Sequence, residues 1–200
     1  MGRATTVLAL MVLLHATICG GPPLAQAAGS PGHGARTAIR DFAWLDATYD
    51  FGDGSKTTFS GGYSAELDSD GACNVCRHIR ALNFGDVDGD GKEEALIVVS
   101  DNLGGAGTNI EGHVFGLEHG APVWRATIEG GDRGDGGIES MVFKNGVIVV
   151  RRFDLASTDG NCCPSLVEIE KWRWSDHGLQ KVGPSKRVRR APTPWSSSRR

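Results

Sequence analysis

The chain has 200 residues, of which 40% are hydrophobic and 22% charged. About 150 of them lie between an apolar N-terminal segment and a basic C-terminal segment, which is enough for one domain with a hydrophobic core. Residues 28–180 carry all 24 Asp and Glu against 13 Lys and Arg, a formal charge of −11, whereas the residues from 181 onward add seven Lys and Arg and no carboxylate. Because nucleic-acid binding needs a basic face, this acidic body argues against a nucleic-acid ligand and suits the binding of cations.

The first 27 residues have the order of a secretion signal peptide. Arg3 gives a positive start, an apolar run extends from Val7 to Leu14, and Ala25-Gln26-Ala27 is a small-x-small cleavage site. The apolar run is far shorter than the ~20 residues that a membrane span needs. We therefore expect a secreted or periplasmic protein without a transmembrane segment once residues 1–27 are cleaved.

Two other interpretations of this segment exist. One is an uncleaved membrane anchor, which the short apolar run disfavours. The other is a lipoprotein modified at Cys19, but Ile18 stands where lipoprotein signals place a small residue. After the signal, residues 28–36 are rich in Gly, Ser and Pro and are predicted to form a flexible lead-in to the domain.

Residues 37–183 are predicted to form one β-rich domain, in which short β-branched and aromatic runs recur between glycine-rich turns. Val167 to Trp174 alternates with one apolar face, as a half-buried strand does, whereas Ala95 to Val99 is apolar throughout and indicates a central strand. Lys144-Asn145-Gly146 suits a type I′ hairpin turn, because both central positions of that turn need positive φ. The expected strands are 78–84, 95–100, 113–117, 122–128, 140–143, 147–153 and 166–174.

Regular hairpin spacing with scarce helix is typical of antiparallel β architectures. We predict a mainly β fold with little helix, built as a single antiparallel β-sandwich, barrel or meander domain. Only residues 37–46 are expected to be helical, since Ile39, Phe42 and Leu45 recur at helical spacing.

Four cysteines remain after removal of the signal, and an even count in an exported chain points to disulfides. They are Cys73, Cys76, Cys162 and Cys163. Adjacent cysteines bridge each other only through a strained ring, so we prefer two bridges that join the first pair to the second. Each bridge would close a loop of about 90 residues and contribute roughly 4–5 kcal/mol in the chain-entropy model.

Two alternatives for the cysteines stay open. Cys73-Asn74-Val75-Cys76 has the spacing of a redox-active motif, but it lacks the βαβ setting of such motifs. The same spacing is half of a four-cysteine zinc site, but Cys162-Cys163-Pro164 has the wrong spacing for the other half.

The segment from Phe84 to Ala95 contains the motif with the clearest chemistry. Its Asp-x-Asp-x-Asp-Gly core is the start of an EF-hand-type calcium loop, in which alternating carboxylates converge on one hard cation and the glycine allows a sharp turn. Ile97 occupies the twelfth position, where such loops place a Glu, and Glu94 occupies the ninth. The expected Ca²⁺ ligands are the side chains of Asp86, Asp88, Asp90 and Glu94 and the carbonyl of Lys92.

Apparent strands flank this loop on both sides, which places it in a β-hairpin rather than between two helices. In that setting it resembles the calcium loops of FG-GAP and VCBS-type repeats, the β-propeller modules of integrin α-subunits and bacterial exoproteins. Phe84-Gly85 matches the opening of that motif. The resemblance covers about fifteen residues and implies a structural Ca²⁺ that stiffens the turn. The simpler interpretation is a tight acidic turn without an ion.

Several separated segments also resemble bacterial secreted proteins of the LppP/LprE lipoprotein type. The segments are 84–108, Gly131-Asp132-Arg133, Cys162-Cys163-Pro164-Ser165 and Trp172-Arg173-Trp174. The resemblance covers about a hundred residues and implies export and a β-rich domain. It brings no catalytic residue, and the chain departs from that group in lacking a good lipidation site.

Residues 184–200 are predicted to be a disordered basic tail, because they show no apolar period and contain no carboxylate. Such a tail could contact an anionic envelope surface, fold back on the acidic body or stay solvated.

The function expected from these features is that of a secreted or periplasmic, non-enzymatic β-domain. It would be stabilised by Ca²⁺ and disulfides and would bind an unknown extracytoplasmic surface or macromolecule, since the sequence contains no His-Glu-x-x-His pair and no Gly-x-Ser-x-Gly elbow. The alternative is a secreted hydrolase that uses the acidic-loop carboxylates, which a pocket holding two carboxylates, one with a raised pKa, would favour. A third possibility is a structural repeat that self-associates through an open sheet edge.

Overall fold

The computed structural model describes residues 39–102, 107–132, 137–154 and 164–190. Nearly all the regular structure in these ranges is β-strand, and residues 39–41 are the only helical ones among them. In chain order the strands are β1 (Thr48–Asp50), β2 (Lys56–Thr58), β3 (Tyr63–Leu67), β4 (Cys73–Gly85), β5 (Glu94–Asn102), β6 (Asn109–Glu118), β7 (Ala121–Glu129), β8 (Ile138–Lys144), β9 (Val147–Phe153), β10 (Leu166–Ser175), β11 (Gly178–Lys181) and β12 (Lys186–Arg189).

The strands form two five-stranded antiparallel meanders and one small hairpin. The first sheet has the order β3-β4-β5-β6-β7, so each strand pairs with the next one in the chain. The second has the order β11-β10-β9-β8, with β12 also paired to β10, and β1 pairs with β2 alone. Among the described strands, the edge strands of each five-stranded sheet are not paired with each other, so neither sheet closes into a barrel. The predicted mainly β, antiparallel fold is confirmed, and it takes the form of two stacked meanders rather than a closed barrel.

One face of the first sheet packs against the second sheet. Leu96, Val98 and Val114 belong to one buried cluster with side chains of the second sheet. Those partners are Ile138, Met141, Ile148 and Val150, with Trp172 and Trp174 packed at the margin. Strand β8 lies across this face closely enough that a Cβ added to Gly112 would overlap the Sδ of Met141. The glycine in β6 therefore permits the close approach of the two layers.

The opposite face of the first sheet is covered by the chain between residues 39 and 59. Trp44, Tyr49 and Phe59 pack on the side chains of β5 and β6 that point away from the second sheet. The indole Nε1 of Trp44 donates a hydrogen bond of 2.6 Å to the carbonyl of Ile39, which satisfies its polar atom inside the core. Strand β5 is thus buried on both faces, which explains its uninterrupted apolar run.

The helix predicted over 37–46 is wrong from residue 42 onward, while residues 37 and 38 lie outside the described ranges. Residues 42–46 form bends and turns instead of continuing the helix. The physical reason lies in tertiary packing, because Trp44 enters the core while Leu45 stays 43% exposed. A continued helix would instead place Leu45 on the same face as Ile39 and Phe42.

The hairpin predicted at Lys144-Asn145-Gly146 is confirmed. Lys144 and Val147 are register partners at the end of β8 and β9. Asn145 and Gly146 adopt φ values of 53° and 70°, the left-handed conformation that the turn requires.

The predicted boundary between domain and tail at residue 183 is too early. Strand β12 pairs with β10 from Leu166↔Arg189 to Ile169↔Lys186. Arg187 forms an ion pair with Asp154, and Arg190 donates to Glu139 at 2.7 Å. Basic residues of the expected tail thus fold back on the acidic body as a strand, while residues 191–200 lie outside the described ranges.

The close approach of the layers can be tested with glycine substitutions in β6. We expect Gly112→Ala to lower the free energy of unfolding by about 1–3 kcal/mol, because the methyl group overpacks the buried contact with Met141. Gly116→Ala in the same strand is the matched control, since its Cβ meets only the movable guanidinium of Arg125. Urea unfolding of both variants measures the difference, and equal losses would contradict the layer contact.

Candidate functional site

The acidic segment closes the hairpin between β4 and β5. Gly85 and Glu94 are register partners, so residues 86–93 form the connection and Glu94 is the first residue of β5. The expectation of a loop inside a β-hairpin is therefore confirmed. The loop lies at one end of the strand that is buried on both faces.

Backbone amides of the loop are bonded to its own carboxylates. Asp86 accepts hydrogen bonds from the amides of Gly89 at 2.6 Å and Gly91 at 3.0 Å. Asp88 accepts one from the amide of Asp90 at 3.0 Å. Gly89 and Gly91 have φ values of 81° and 86°, which an L-residue rarely adopts. The two glycines thus let the loop turn tightly around the acidic side chains.

Three carboxylates converge within this loop. Asp86, Asp88 and Glu94 each offer one oxygen, and these oxygens all lie within 4.8 Å of one another. Two oxygens on opposite sides of one Ca²⁺ are up to about 5 Å apart, given Ca–O distances of 2.3–2.6 Å. The spacing therefore fits a single hard cation, and among the described residues no other group of three or more His, Cys, Asp or Glu is this compact.

One predicted ligand, Asp90, lies outside the convergent three. The carboxylate of Asp90 accepts a hydrogen bond from the amide of Lys92 at 2.7 Å and lies 3.7 Å from the ammonium of the same lysine. This local pairing holds Asp90 outside the convergent group. The carbonyl of Lys92 remains a predicted ligand.

Glu94 is the buried member of the group. Glu94 is only 7% exposed, and one of its carboxylate oxygens accepts a hydrogen bond of 2.9 Å from the amide of Val87. Burial, opposed by the hydrogen bond from the Val87 amide and helped by the charges of Asp88, Asp90 and Asp86, raises the pKa of Glu94 to about 7. A buried carboxylate beside other carboxylates is costly unless a cation or proton neutralises it.

The structure pairs the cysteines differently from the predicted cross-bridges. Cys73 is bonded to Cys76, with their Cα atoms 5.9 Å apart. Three extended residues would span about 10 Å, but the start of β4 is irregular, since its register with β3 shifts between Glu66 and Leu67. That irregularity brings the two cysteines together. Cys162 and Cys163 lie outside the described ranges.

A polar cleft, which the sequence did not reveal, lies on the same sheet toward the opposite end of β5. It has a volume of about 280 Å³ and lies beside strands β4 to β7 and the β1–β2 loop. Its lining includes Phe51, Asp53, Arg77, Asp101, Glu111, His113, Thr127 and Glu129. These residues are scattered over more than seventy positions of the chain, so no local motif marks them.

His113 has two polar neighbours in this cleft. The indole of Trp124 donates a hydrogen bond to the hydroxyl of Thr127 at 3.1 Å. The same hydroxyl lies 2.9 Å from Nδ1 of His113, and either atom can be the donor in that hydrogen bond. Nε2 of His113 lies 3.5 Å from Glu111. Burial, helped by the charge of Arg77, lowers the pKa of His113 to about 4.

Comparison with family models, with curated proteins and with solved structures finds no match for this chain. The described residues contain no helix long and apolar enough to span a membrane.

The disulfide can be tested by mapping and by substitution. We expect a non-reducing digest to yield a peptide in which Cys73 is linked to Cys76. The loop of four residues is short, so Cys73→Ser with Cys76→Ser should cost about 2 kcal/mol, well below the 4–5 kcal/mol of a long cross-bridge. Linkage of either cysteine to residue 162 or 163 in the mass spectrum would contradict this pairing.

The state of His113 predicts a dependence of stability on pH. Its pKa is about 4 in the folded chain, below the ordinary histidine value of 6.5, so the unfolded chain binds more protons between these values. The stability contributed by the neutral ring is present above pH 6.5 and is lost as pH falls toward 4, by at most about 3 kcal/mol. Denaturant unfolding at several pH values should show this loss weakened in His113→Asn but retained in His78→Asn, which removes an exposed histidine.

Proposed function

We propose that this chain is an exported, non-enzymatic binding domain whose β-sandwich is stiffened by a Ca²⁺ ion in the loop between β4 and β5. The observation that carries the proposal is the convergence of Asp86, Asp88 and Glu94 within 4.8 Å. The mature protein would act in a secreted or periplasmic location, where it binds an extracytoplasmic surface or macromolecule.

The chemistry of the loop supports Ca²⁺ in particular. All convergent ligands are carboxylate oxygens, which suit hard cations, whereas zinc and copper sites draw on imidazole or thiolate ligands. The Asp-x-Asp-x-Asp-Gly spacing and the resemblance to FG-GAP and VCBS-type loops agree with this choice. Calcium is abundant outside cells, so even a site with a dissociation constant of 10⁻⁴–10⁻³ M would be filled there.

The position of the loop supports a stabilising role for the ion. Val87 packs in the core between the two sheets, and its amide is bonded to Glu94. Glu94 in turn begins β5, the strand covered on both faces. A cation bound between Glu94 and the aspartates would therefore tie the exposed loop to the centre of the sandwich and would neutralise its buried carboxylate.

Calcium titration of the thermal unfolding transition tests the site. After EDTA treatment, 10 mM Ca²⁺ should raise the free energy of unfolding by about 1.4–2.7 kcal/mol for a dissociation constant of 10⁻³–10⁻⁴ M. Asp88→Asn should weaken this response strongly, because it removes one of the three converging charges. Asp70→Asn, in an acidic Asp-Gly turn outside the convergent group, is the matched control and should respond like the parent chain.

Glu94→Gln separates a cation site from an ordinary acidic turn. The amide keeps an acceptor for Val87 but removes the buried charge, so at pH 8 we expect a metal-free variant more stable than the metal-free parent and insensitive to Ca²⁺. The proposal fails if this variant keeps the full calcium response, or if EDTA leaves the melting temperature of the parent unchanged.

The alternative of a secreted hydrolase draws support from one observation. Asp90 and Glu94 line a cavity of about 500 Å³, and the pKa of Glu94 is raised to about 7. The oxygens of Asp86, Asp88 and Glu94 all lie within 4.8 Å of one another, closer than the about 5–9.5 Å that separates the carboxyl groups of glycoside hydrolases, so the geometry of this group favours a cation. Hydrolysis of a chromogenic glycoside that disappears in Glu94→Gln would support the hydrolase instead.

A further inference from the structure

We propose that the cleft beside β4 to β7 binds a small organic cation, a molecule or side chain that carries a primary ammonium or guanidinium group. The inference concerns the opposite end of β5 from the calcium loop and does not depend on that loop holding an ion.

The cleft exists because the cover on this face of the sheet is incomplete. Near the start of β5 the face is apolar and lies under Trp44 and Tyr49. Further along the same face the side chains become polar: Asp101 pairs in register with Arg77 on one side and with Asn109 on the other. Directly opposite residues of antiparallel strands share a face, so these groups lie together beside the cavity.

The charge of the cleft is unbalanced. Asp53, Asp101, Glu111 and Glu129 line it, and Arg77 is the only Lys or Arg among its lining residues. Arg77 is already engaged, at 3.3 Å with Asp101 and in a hydrogen bond with the hydroxyl of Thr57. His113 is held neutral by burial and adds no charge.

Two of the carboxylates are placed where they repel each other. Glu111 and Glu129 are register partners on β6 and β7, and like charges directly opposite destabilise a strand pair. Burial raises the pKa of Glu111, and the charges of Asp101 and Glu129 raise it further. A cationic group in the cleft would relieve this repulsion.

Buried acceptor atoms beside the cleft give an independent indication. Oδ1 of Asp101 and Oδ1 of Asn109 are buried without a hydrogen-bond partner in the described part of the chain. The amide nitrogen of Asn109 donates to Glu111 at 2.7 Å, which orients its oxygen away from that carboxylate. Buried acceptors without donors are costly, and both belong to register partners. Their uncompensated negative charge adds to the negative potential of the cleft, which favours a cationic ligand.

The shape of the cleft favours an organic cation over a metal ion. Its acidic groups do not converge within 4.8 Å, as the calcium-loop oxygens do, so one ion could not contact several of them. A cavity of about 280 Å³ accommodates a group of several heavy atoms. The ring of Phe51 lies 4.4 Å from that of His113 and supplies an aromatic wall, suited to an alkylammonium or guanidinium.

Binding of simple amines to the full mature chain tests the inference. Titration of n-butylammonium and agmatine in EDTA, followed by amide NMR shifts, should show saturable shifts centred on β6 and β7. The neutral isostere n-butanol should bind at least tenfold more weakly, because it carries no charge to pair with the carboxylates. A lysine within a blocked tripeptide separates the two sources: similar binding indicates a protein side chain as ligand, whereas loss indicates a free amine.

Two variants locate the site. Glu129→Gln and Glu111→Gln should each weaken n-butylammonium binding at least tenfold, and melting temperatures near that of the parent will show that both remain folded. Glu118→Gln, on the same strand β6 but ion-paired with Arg125 outside the cleft, is the matched control and should bind like the parent. Asp88→Asn should also bind normally, which separates this inference from the calcium site. Equal binding by n-butanol, or unchanged affinity in both cleft variants, would overturn the proposal.

Discussion

The burial of β5 on both faces is the constraint on which the rest of the structure depends. One face packs against the second sheet and the other against the aromatic side chains between residues 39 and 59. Ala95, Leu96 and Ile97 are completely inaccessible, so the middle of the strand accepts only apolar side chains. Polar groups are therefore confined to the two ends of β5, where each core reaches its margin.

Both candidate sites follow from that arrangement. Glu94 starts β5 beside the acidic loop, and Asp101 lies near its other end beside the cleft. Each carboxylate sits at the margin of a core, and burial raises the pKa of both. The proposed calcium loop and the proposed amine cleft thus share one physical situation, in which a partly desolvated carboxylate needs a positive partner.

The carboxylates of the acidic body also stabilise the last described strand, β12. Strand β12 would be a poor strand by composition alone, because Lys186, Arg187 and Arg189 surround a single valine. It is held by backbone pairing with β10 and by ion pairs to carboxylates of the sandwich, including Glu139 through Arg190. The hydrogen bonds from Arg151 and Arg190 outweigh the burial of Glu139 and lower the pKa of that carboxyl. The basic residues that the sequence predicted to lie in a disordered tail thus form ion pairs that stabilise the fold.

Features that depend on neighbours in the chain could be predicted from the sequence. The apolar run of β5, the Asn145-Gly146 hairpin and the acidic loop are local patterns, because side-chain alternation and positive φ are properties of a few consecutive residues. The tertiary structure alone decided which carboxylates converge, that Cys73 pairs with Cys76, and that residues of four strands share a cleft. These features depend on strand register and on which faces are covered, and both arise only when distant segments of the chain pack together.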